Sequence, residues 1–398
     1  MKALVGLVVG VVLAACGGAG GGKGDAGQDP VDAGRDAGQD SVLDAGSDAG
    51  QLPVDAGTPD AGATCAWGRP CAVSYVDSAP YPVKVDHHSS MVHTSAAGTY
   101  LYVFGGVRAE FSDVKEDYAA VRRAKVLDSG ALGAWEDLAP LPRTLSFHSM
   151  AWNEQRVYLV GGITITGAHK AAPNTNVLVG DFDADGKLTW RNGGALQRVA
   201  VHPTAVILGD TLWCLGGTDG QVPVADTNVA TLGADGLNGN FFDGPPLPTP
   251  RSHHMSFVGH GKIFILGGFD AANNPLEVIL RSELDKDGKV TGWDPASLML
   301  DAPWTAGVAF RDDAIIVVGG GQGGPGYEEY VARVRRAGLY PDDTIGVFTD
   351  VGTLPVARSH VHQAPLYGDH LYSVGGRLQP SLDTMDRVFV GTMSSKVQ

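Results

Sequence analysis

Residues 101 to 106 read LYVFGG, and the chain writes the stretch again as VYLVGG at 157, LWCLGG at 212, IFILGG at 263, IIVVGG at 315 and LYSVGG at 371. Each is a short apolar run, rich in β-branched and aromatic residues, that stops at two glycines. Such a run reads as a buried strand ending where the backbone turns tightly or approaches a neighbour closely. The glycine pairs begin at 105, 161, 216, 267, 319 and 375, at intervals of 56, 55, 51, 52 and 56 residues. A period near 50 points to sheets repeated around an axis.

The second unit shows the plan. FHSMAWN (147 to 153) reads as one strand, residues 153 to 156 as a turn and VYLV as the next strand. After the glycines and a polar loop, NVLVGDF (176 to 182) is a third strand, 183 to 186 a hairpin turn and KLTW a fourth. Four antiparallel strands per unit leave no room for a helix. Trp135, Trp190 and Trp293 fall on the fourth strand, with Phe242 and Phe348 in related places, so an aromatic is expected between neighbouring sheets. Leu-Pro follows in LAPLPR (138 to 143), PPLPTPR (245 to 251) and GTLPVAR (352 to 358), where proline sets the connection into the next unit.

This order of LPxxR, a histidine some thirteen residues before Gly-Gly, the glycines, then a fourth-strand aromatic, resembles the kelch repeat over about residues 72 to 398. The resemblance implies an all-β, six-bladed β-propeller. SYVDSAPYPVKVDHH (74 to 88) matches AWEDLAPLPRTLSFH (134 to 148), so the chain opens with a fourth strand, while VFVGTM (388 to 393) is a third strand lacking a partner. Pairing the two is expected to complete the last blade and remove the free edge.

The first residues read differently. Lys2, the apolar run 3 to 15 and the small residues before Cys16 form a signal peptide (1 to 15), too short for a spanning helix, which needs about 20 residues. Leu-Ala-Ala-Cys resembles the lipobox of bacterial lipoproteins, which implies lipidation at Cys16; Gly17 after it implies the outer membrane. Residues 16 to 64 repeat Asp-Ala-Gly and lack the apolar residues a core needs, so they read as a disordered tether with a span on the order of 40 Å. Cys65 and Cys71 open the propeller region, 65 to 398, and their spacing in an oxidising compartment reads as a small disulfide loop. Cys214, inside an apolar run, reads as a buried inert thiol. The formal charge of -15 argues against nucleic acid as a partner.

In this topology the connections between units and the loops after Gly-Gly emerge on one face, around the channel mouth, which makes that face the expected binding site. The kelch resemblance implies arginines there: Arg143, Arg198, Arg251 and Arg358 before the innermost strand, Arg108 and Arg377 after the glycines. Guanidinium forks suit carboxylate-bearing ligands, an acidic peptide or an acidic sugar; the competing reading is that each arginine pairs with a neighbouring carboxylate within its repeat. The fifth unit has neither the arginine nor the histidine, and Trp304 stands there as a stacking surface for a sugar or as filler. His148, His202, His254 and His362 precede the innermost strands, with His254 counted among the ligand-binding residues. Because histidine belongs to the repeat, no metal and no other cofactor is expected.

Two motifs are discounted. Residues 321 to 326 fit GxGxxG, but the repeat makes them a loop between strands; 181 to 186 open like an EF-hand loop, but position twelve is Asn192. Kelch folds include a copper radical oxidase, whose Cys-Tyr site has no matching cysteine here, and epimerases acting on sialic acids, which need an acid and a base in the channel. Glu110, Glu328, Glu329 and His254 are the conceivable players. The expectation is a monomeric, lipid-anchored, non-catalytic binding module for a protein or glycan, touching the membrane through its lipid alone. The alternative is an epimerase or mutarotase on sugars of the sialic-acid kind.

Overall fold

The computed structural model describes residues 72 to 110, 113 to 166, 170 to 237, 239 to 325 and 327 to 394. The signal peptide, the tether, Cys16 and the Cys65 and Cys71 pair lie outside the described residues, which contain strands and turns and no α-helix.

The strands come in sets of four, one per repeat. The first set runs outward from Ser89–Ser95 through Gly98–Phe104 and Val121–Val126 to Leu132–Asp137. The second is Ser149–Trp152, Arg156–Val160, Asn176–Phe182 and Leu188–Ala195. In the third, Thr204–Leu208, Thr211–Leu215 and Thr227–Gly233 are followed by a two-residue outer strand, Phe242–Asp243. Met255–Gly259, Lys262–Leu266, Val278–Leu284 and Val290–Leu298 make the fourth; Gly307–Arg311, Ala314–Val318, Arg333–Gly338 and Thr349–Thr353 make the fifth. In the sixth, Leu366–Tyr367, His370–Val374 and Val388–Ser394 are joined on the outside by Ala72–Asp77. That last pairing is antiparallel and runs from Ala72 opposite Ser394 to Asp77 opposite Phe389. A single parallel bridge, Val73 to Gly352, joins the fifth and sixth sets.

The reason the second strand of each set is apolar throughout lies in the packing. Leu101 and Val103 point toward Tyr372, Val374 and Val388 of the sixth set, while their neighbours Tyr102 and Phe104 point toward Val157 and Leu159 of the second. Alternate residues of one strand therefore fill two different cores, so the usual polar face is missing. Like clusters lie between second and third, third and fourth, fourth and fifth, and fifth and sixth sets. The outer-strand tryptophans pack in these seams: Trp190 Nε1–H donates to the Ala139 carbonyl at 3.1 Å and Trp293 Nε1–H to that of Pro245 at 2.8 Å. In the third set the buried aromatic is Phe241; Phe242, one residue on, is 67% exposed because alternation along the chain turns it outward.

The glycine pairs have one job six times over. The second glycine of each pair donates its N–H to a carbonyl of the next repeat: Gly106 to Leu145, Gly162 to Ala200, Gly217 to Arg251, Gly268 to Pro303, Gly320 to Arg358, and Gly376 back to Val85, at 2.7 to 3.0 Å. The first glycine has positive φ and lies against the same carbonyl, so that a Cβ on Gly267 would sit 2.1 Å from the Pro303 oxygen. Only glycine fits both demands.

Gly267→Ala should therefore destabilise the protein by at least about 2 kcal/mol in urea melts, through strain and loss of the junction hydrogen bond. Gly261→Ala, with φ +72 but nothing within 4 Å of the added carbon, carries the backbone strain alone and should cost clearly less. Equal losses would mean that the junction is not tight.

Candidate functional site

Where each connecting segment enters its innermost strand, one residue takes left-handed backbone: His87 (φ 50), Phe147 (58), His202 (53), His253 (57), Thr305 (51) and His360 (60). Bulky residues rarely hold this conformation, and each costs on the order of 1–3 kcal/mol. Backbone hydrogen bonds link them from repeat to repeat, from Phe147 N–H to the His87 carbonyl (3.1 Å), His202 N–H to that of Phe147 (2.9 Å) and Thr305 N–H to that of His253 (2.8 Å).

This turn throws the rings inward. His87 stacks on Phe147 with centroids 3.8 Å apart, His202 on His253 at 3.7 Å, and His360 sits 4.4 Å from His87. His362, also left-handed, tilts in at 5.6 Å from His87 and 5.7 Å from His202. The result is a collar of buried rings. Asp86 lies behind it, accepting from His87 Nδ1–H at 2.7 Å and from Arg377 Nε–H at 2.6 Å, with all three side chains fully buried. Burial pushes the Asp86 carboxyl up from the usual carboxylate range, and the guanidinium of Arg377 opposes that push.

Beyond the collar the six innermost strands enclose a cavity of about 410 Å³. Ser90, Ser149, Thr204, Phe257, Phe310 and Leu366 represent the six walls, His362 and Gln363 stand at the collar end, and Trp152, 42% exposed, lies at the other. No Asp, Glu, Lys or Arg is among the described lining residues. The cavity thus extends away from the face where the long loops gather.

The arginines expected at the mouth divide into three groups. Arg251, Arg358 and Arg377 are at most 1% exposed. Arg251 donates to the carbonyls of Gly267 (3.2 Å) and Val278 (3.0 Å); Arg358 donates to that of Gly375 (2.6 Å) and lies 4.0 Å over the Phe389 ring; Arg377 is held by Asp86. These guanidiniums tie the glycine corners to the loops and do not face solvent, a direction that repeat spacing does not encode. Arg198 is exposed and paired with Asp226 at 2.5 Å; Arg108 lies between Glu110 and Glu116. Arg143 shares with Arg251 and Arg358 a buried Nε without a hydrogen-bonding partner and a pKa pulled down by loss of hydration, but unlike them it is only half-buried.

Trp304 is 2% exposed, edge-on to Phe269 and Tyr330, and donates Nε1–H to the Gly323 carbonyl, so it fills the gap in the fifth repeat and is no open stacking platform. His254 is buried with Nε2 2.8 Å from Thr204 Oγ1. His148, His202, His254 and His362 do not share one position, since His202 belongs to the collar while His148 and His254 follow it by one residue. His87, His253 and His360 escaped the reading for the same reason. Counting from the glycines would have found the register, because Phe147, His202, His253 and Thr305 each lie fourteen residues before Gly161, Gly216, Gly267 and Gly319.

The two discounted motifs are structural. Gly321–Gln322 pairs with Glu329–Tyr330 and leads into a strand. The Asp183 carboxylate caps its own hairpin by accepting from Asp185 and Lys187 N–H, while Asp181 pairs with Arg156 and Arg191. Cys214 is buried and its thiol is pushed up to about 12, in keeping with an inert core residue.

No protein-family model matches the chain. Among curated proteins it is similar to mouse Kelch-like protein 38, 23% identical over 264 residues that cover 66% of this chain and 41% of the relative. It is also similar to Kelch-like protein terF of Aspergillus terreus (27% over 208 residues, 48% of this chain and 42% of the relative) and to alpha-scruin of Limulus polyphemus (20% over 215 residues, 53% and 22%). The chain spans less than half the length of these relatives. Among solved structures, that of YjhT superposes with a TM-score of 0.60 at 11% identity, covering 78% of this chain and 95% of that one. Sequence and fold together support a kelch-type β-propeller.

Burial sets the chemistry of the collar. It lowers His87, His202, His253 and His360 well below the ordinary histidine value, His88, His148 and His254 to about 3 and His362 to about 4. The folded protein keeps them neutral, whereas the unfolded chain protonates them near about 6.5. The unfolded state thus binds more protons below that value, so stability is full above about pH 6.5 and falls as pH drops toward 4. Denaturant melts across pH 7 to 4.5 should show this fall, and His148→Leu should flatten the slope by about one proton. An unchanged slope would mean that His148 is protonated in the fold.

Proposed function

We propose that the described region is a six-bladed propeller, closed by the 72–77 strand, that serves as a non-catalytic binding module for a protein or glycan bearing carboxylates. The observation that carries this reading is Arg143, a half-buried guanidinium on the face of the long loops with a buried, unpartnered Nε. A cation partly stripped of water gains most from a bidentate carboxylate, and planar forks favour such partners. Its neighbours Thr144, bonded to the Ile165 carbonyl, and the hairpin Ile163–Thr166 with Lys170–Pro173 would frame the contact.

The epimerase or mutarotase alternative places acid and base in the channel, and the lining offers His362 alone, held neutral down to about pH 4. Glu110 is engaged by Arg108, and neither Glu328 nor Glu329 lines the cavity. The likeness to YjhT concerns fold alone. Binding without turnover is the reading these walls favour.

The proposal extends to position in the cell: a signal peptide, a lipid on Cys16 and an acidic tether through residue 64 would hold the propeller away from an outer-membrane surface as a monomer, with a disulfide between Cys65 and Cys71 at its entrance. The lipobox-like Leu-Ala-Ala-Cys and the Asp-Ala-Gly repeats support it. Cys16→Ser should move the protein from the membrane fraction to the soluble one; retention in membranes would refute the anchor.

The binding test is a thermal-shift series on the mature chain with glutamate-rich peptides and sialylated oligosaccharides. A ligand at a hundred times its Kd should add about 2.7 kcal/mol. Arg143→Ala should weaken the response at least tenfold while leaving the unliganded melting temperature almost unchanged. Arg251→Ala, by contrast, strips two buried carbonyls of their donor and should lower stability by about 2 kcal/mol or more. A response insensitive to Arg143, or turnover of a sugar, would overturn the reading.

A further inference from the structure

Three collar histidines meet in a way that neither the repeat nor the binding reading requires. One ring nitrogen each of His87, His202 and His362 lies within 4.8 Å of the other two. His87 Nε2, both nitrogens of His202 and His362 Nε2 are buried and have no hydrogen-bonding partner among the described residues. A neutral imidazole has one donor and one acceptor, and burying them unpaired is costly, so the cluster is satisfied poorly by the protein alone.

The surroundings are those of a ligand set. An ionised Asp86 carboxylate only accepts, so its contact at Oδ1 (2.7 Å) assigns the proton of His87 to Nδ1 and leaves the buried, unpartnered Nε2 with its lone pair available as a ligand. Asp86 is anchored in turn by Arg377 through its other oxygen at 2.6 Å. A carboxylate orienting a ligating histidine is the usual outer arrangement around a bound metal. Three nitrogens at the full 4.8 Å separation lie about 2.8 Å from their common centre, so each need close by only about 0.7 Å to reach a metal–nitrogen bond of about 2.0–2.1 Å. There is also a way in, because His362 forms part of the cavity wall.

We propose that His87, His202 and His362 form a binding site for one borderline divalent transition-metal ion, zinc, copper(II), nickel or cobalt, at the closed end of the channel. Neutral imidazoles without carboxylate oxygens suit these ions and disfavour calcium and magnesium. Three ligands leave a coordination position for water or for a small donor entering through the cavity. The proposal is independent of the loop-face reading: loss of either leaves the other standing.

Cobalt(II) is the probe of choice on the full mature chain, stripped with chelator and titrated. The expected result is one equivalent bound, with the intense visible bands of a tetrahedral nitrogen-ligated ion, displaced by zinc. His362→Ala should weaken binding at least a hundredfold and abolish those bands with the circular dichroism spectrum unchanged, because His362 is the ligand that borders open space. Asp86→Asn should weaken it by roughly 10–100-fold. If His87→Ala fails to fold, His202→Gln serves as the second ligand variant. Failure to bind cobalt or zinc, a spectrum typical of an octahedral oxygen site, or binding that survives His362→Ala would each overturn the assignment.

Discussion

Everything in this molecule hangs on a hydrogen bond between the second glycine of each pair and a carbonyl of the following repeat. Strands within a set satisfy their own backbone, but sets meet mostly through side chains, and side-chain packing alone tolerates sliding. The junction bond pins each set against the next at one atom. It demands an approach so close that the preceding residue can carry no Cβ. Six apolar runs end in the same dipeptide because six junctions pose the same geometric problem.

Once the junctions are fixed, the axis is crowded. Six connecting segments converge there, and each passes through left-handed backbone, which turns an aromatic or imidazole ring toward the centre in five of the six repeats. Rings pack flat on rings where aliphatic side chains of the same reach would leave gaps. The cost is a group of imidazoles that must stay neutral. The cavity lies on the other side of the collar, walled mainly by serine, threonine and apolar residues, with His362 and Gln363 at the collar end.

Much of the fold was legible because it is written in periodic signals: the glycine interval, the apolar second strands, the outer tryptophans and the mismatched first and last strands. The strand 72–77 could be paired with 388–394 from order alone. Direction was the hidden variable. Arg251, Arg358 and Arg377 occupy the positions the repeat gives to mouth residues, yet they point inward, Arg251 and Arg358 to backbone carbonyls and Arg377 to the Asp86 carboxylate. A one-residue offset likewise separates Phe241 from Phe242, and His253 from His254; the repeat sets positions in the chain, while φ decides which way a side chain leaves it.

The sixth sheet draws its outer strand from residue 72 and its neighbour from residue 388, so more than three hundred residues separate the partners of one ladder. A growing chain can assemble its first five sets as they appear, but the strand 72–77 lacks its antiparallel partner until residues 388 to 394 are made. Until then two open edges face solvent. Such a design ties completion of the sixth sheet to the synthesis of residues 388 to 394, and a copy lacking them leaves the edge of the strand 72–77 exposed.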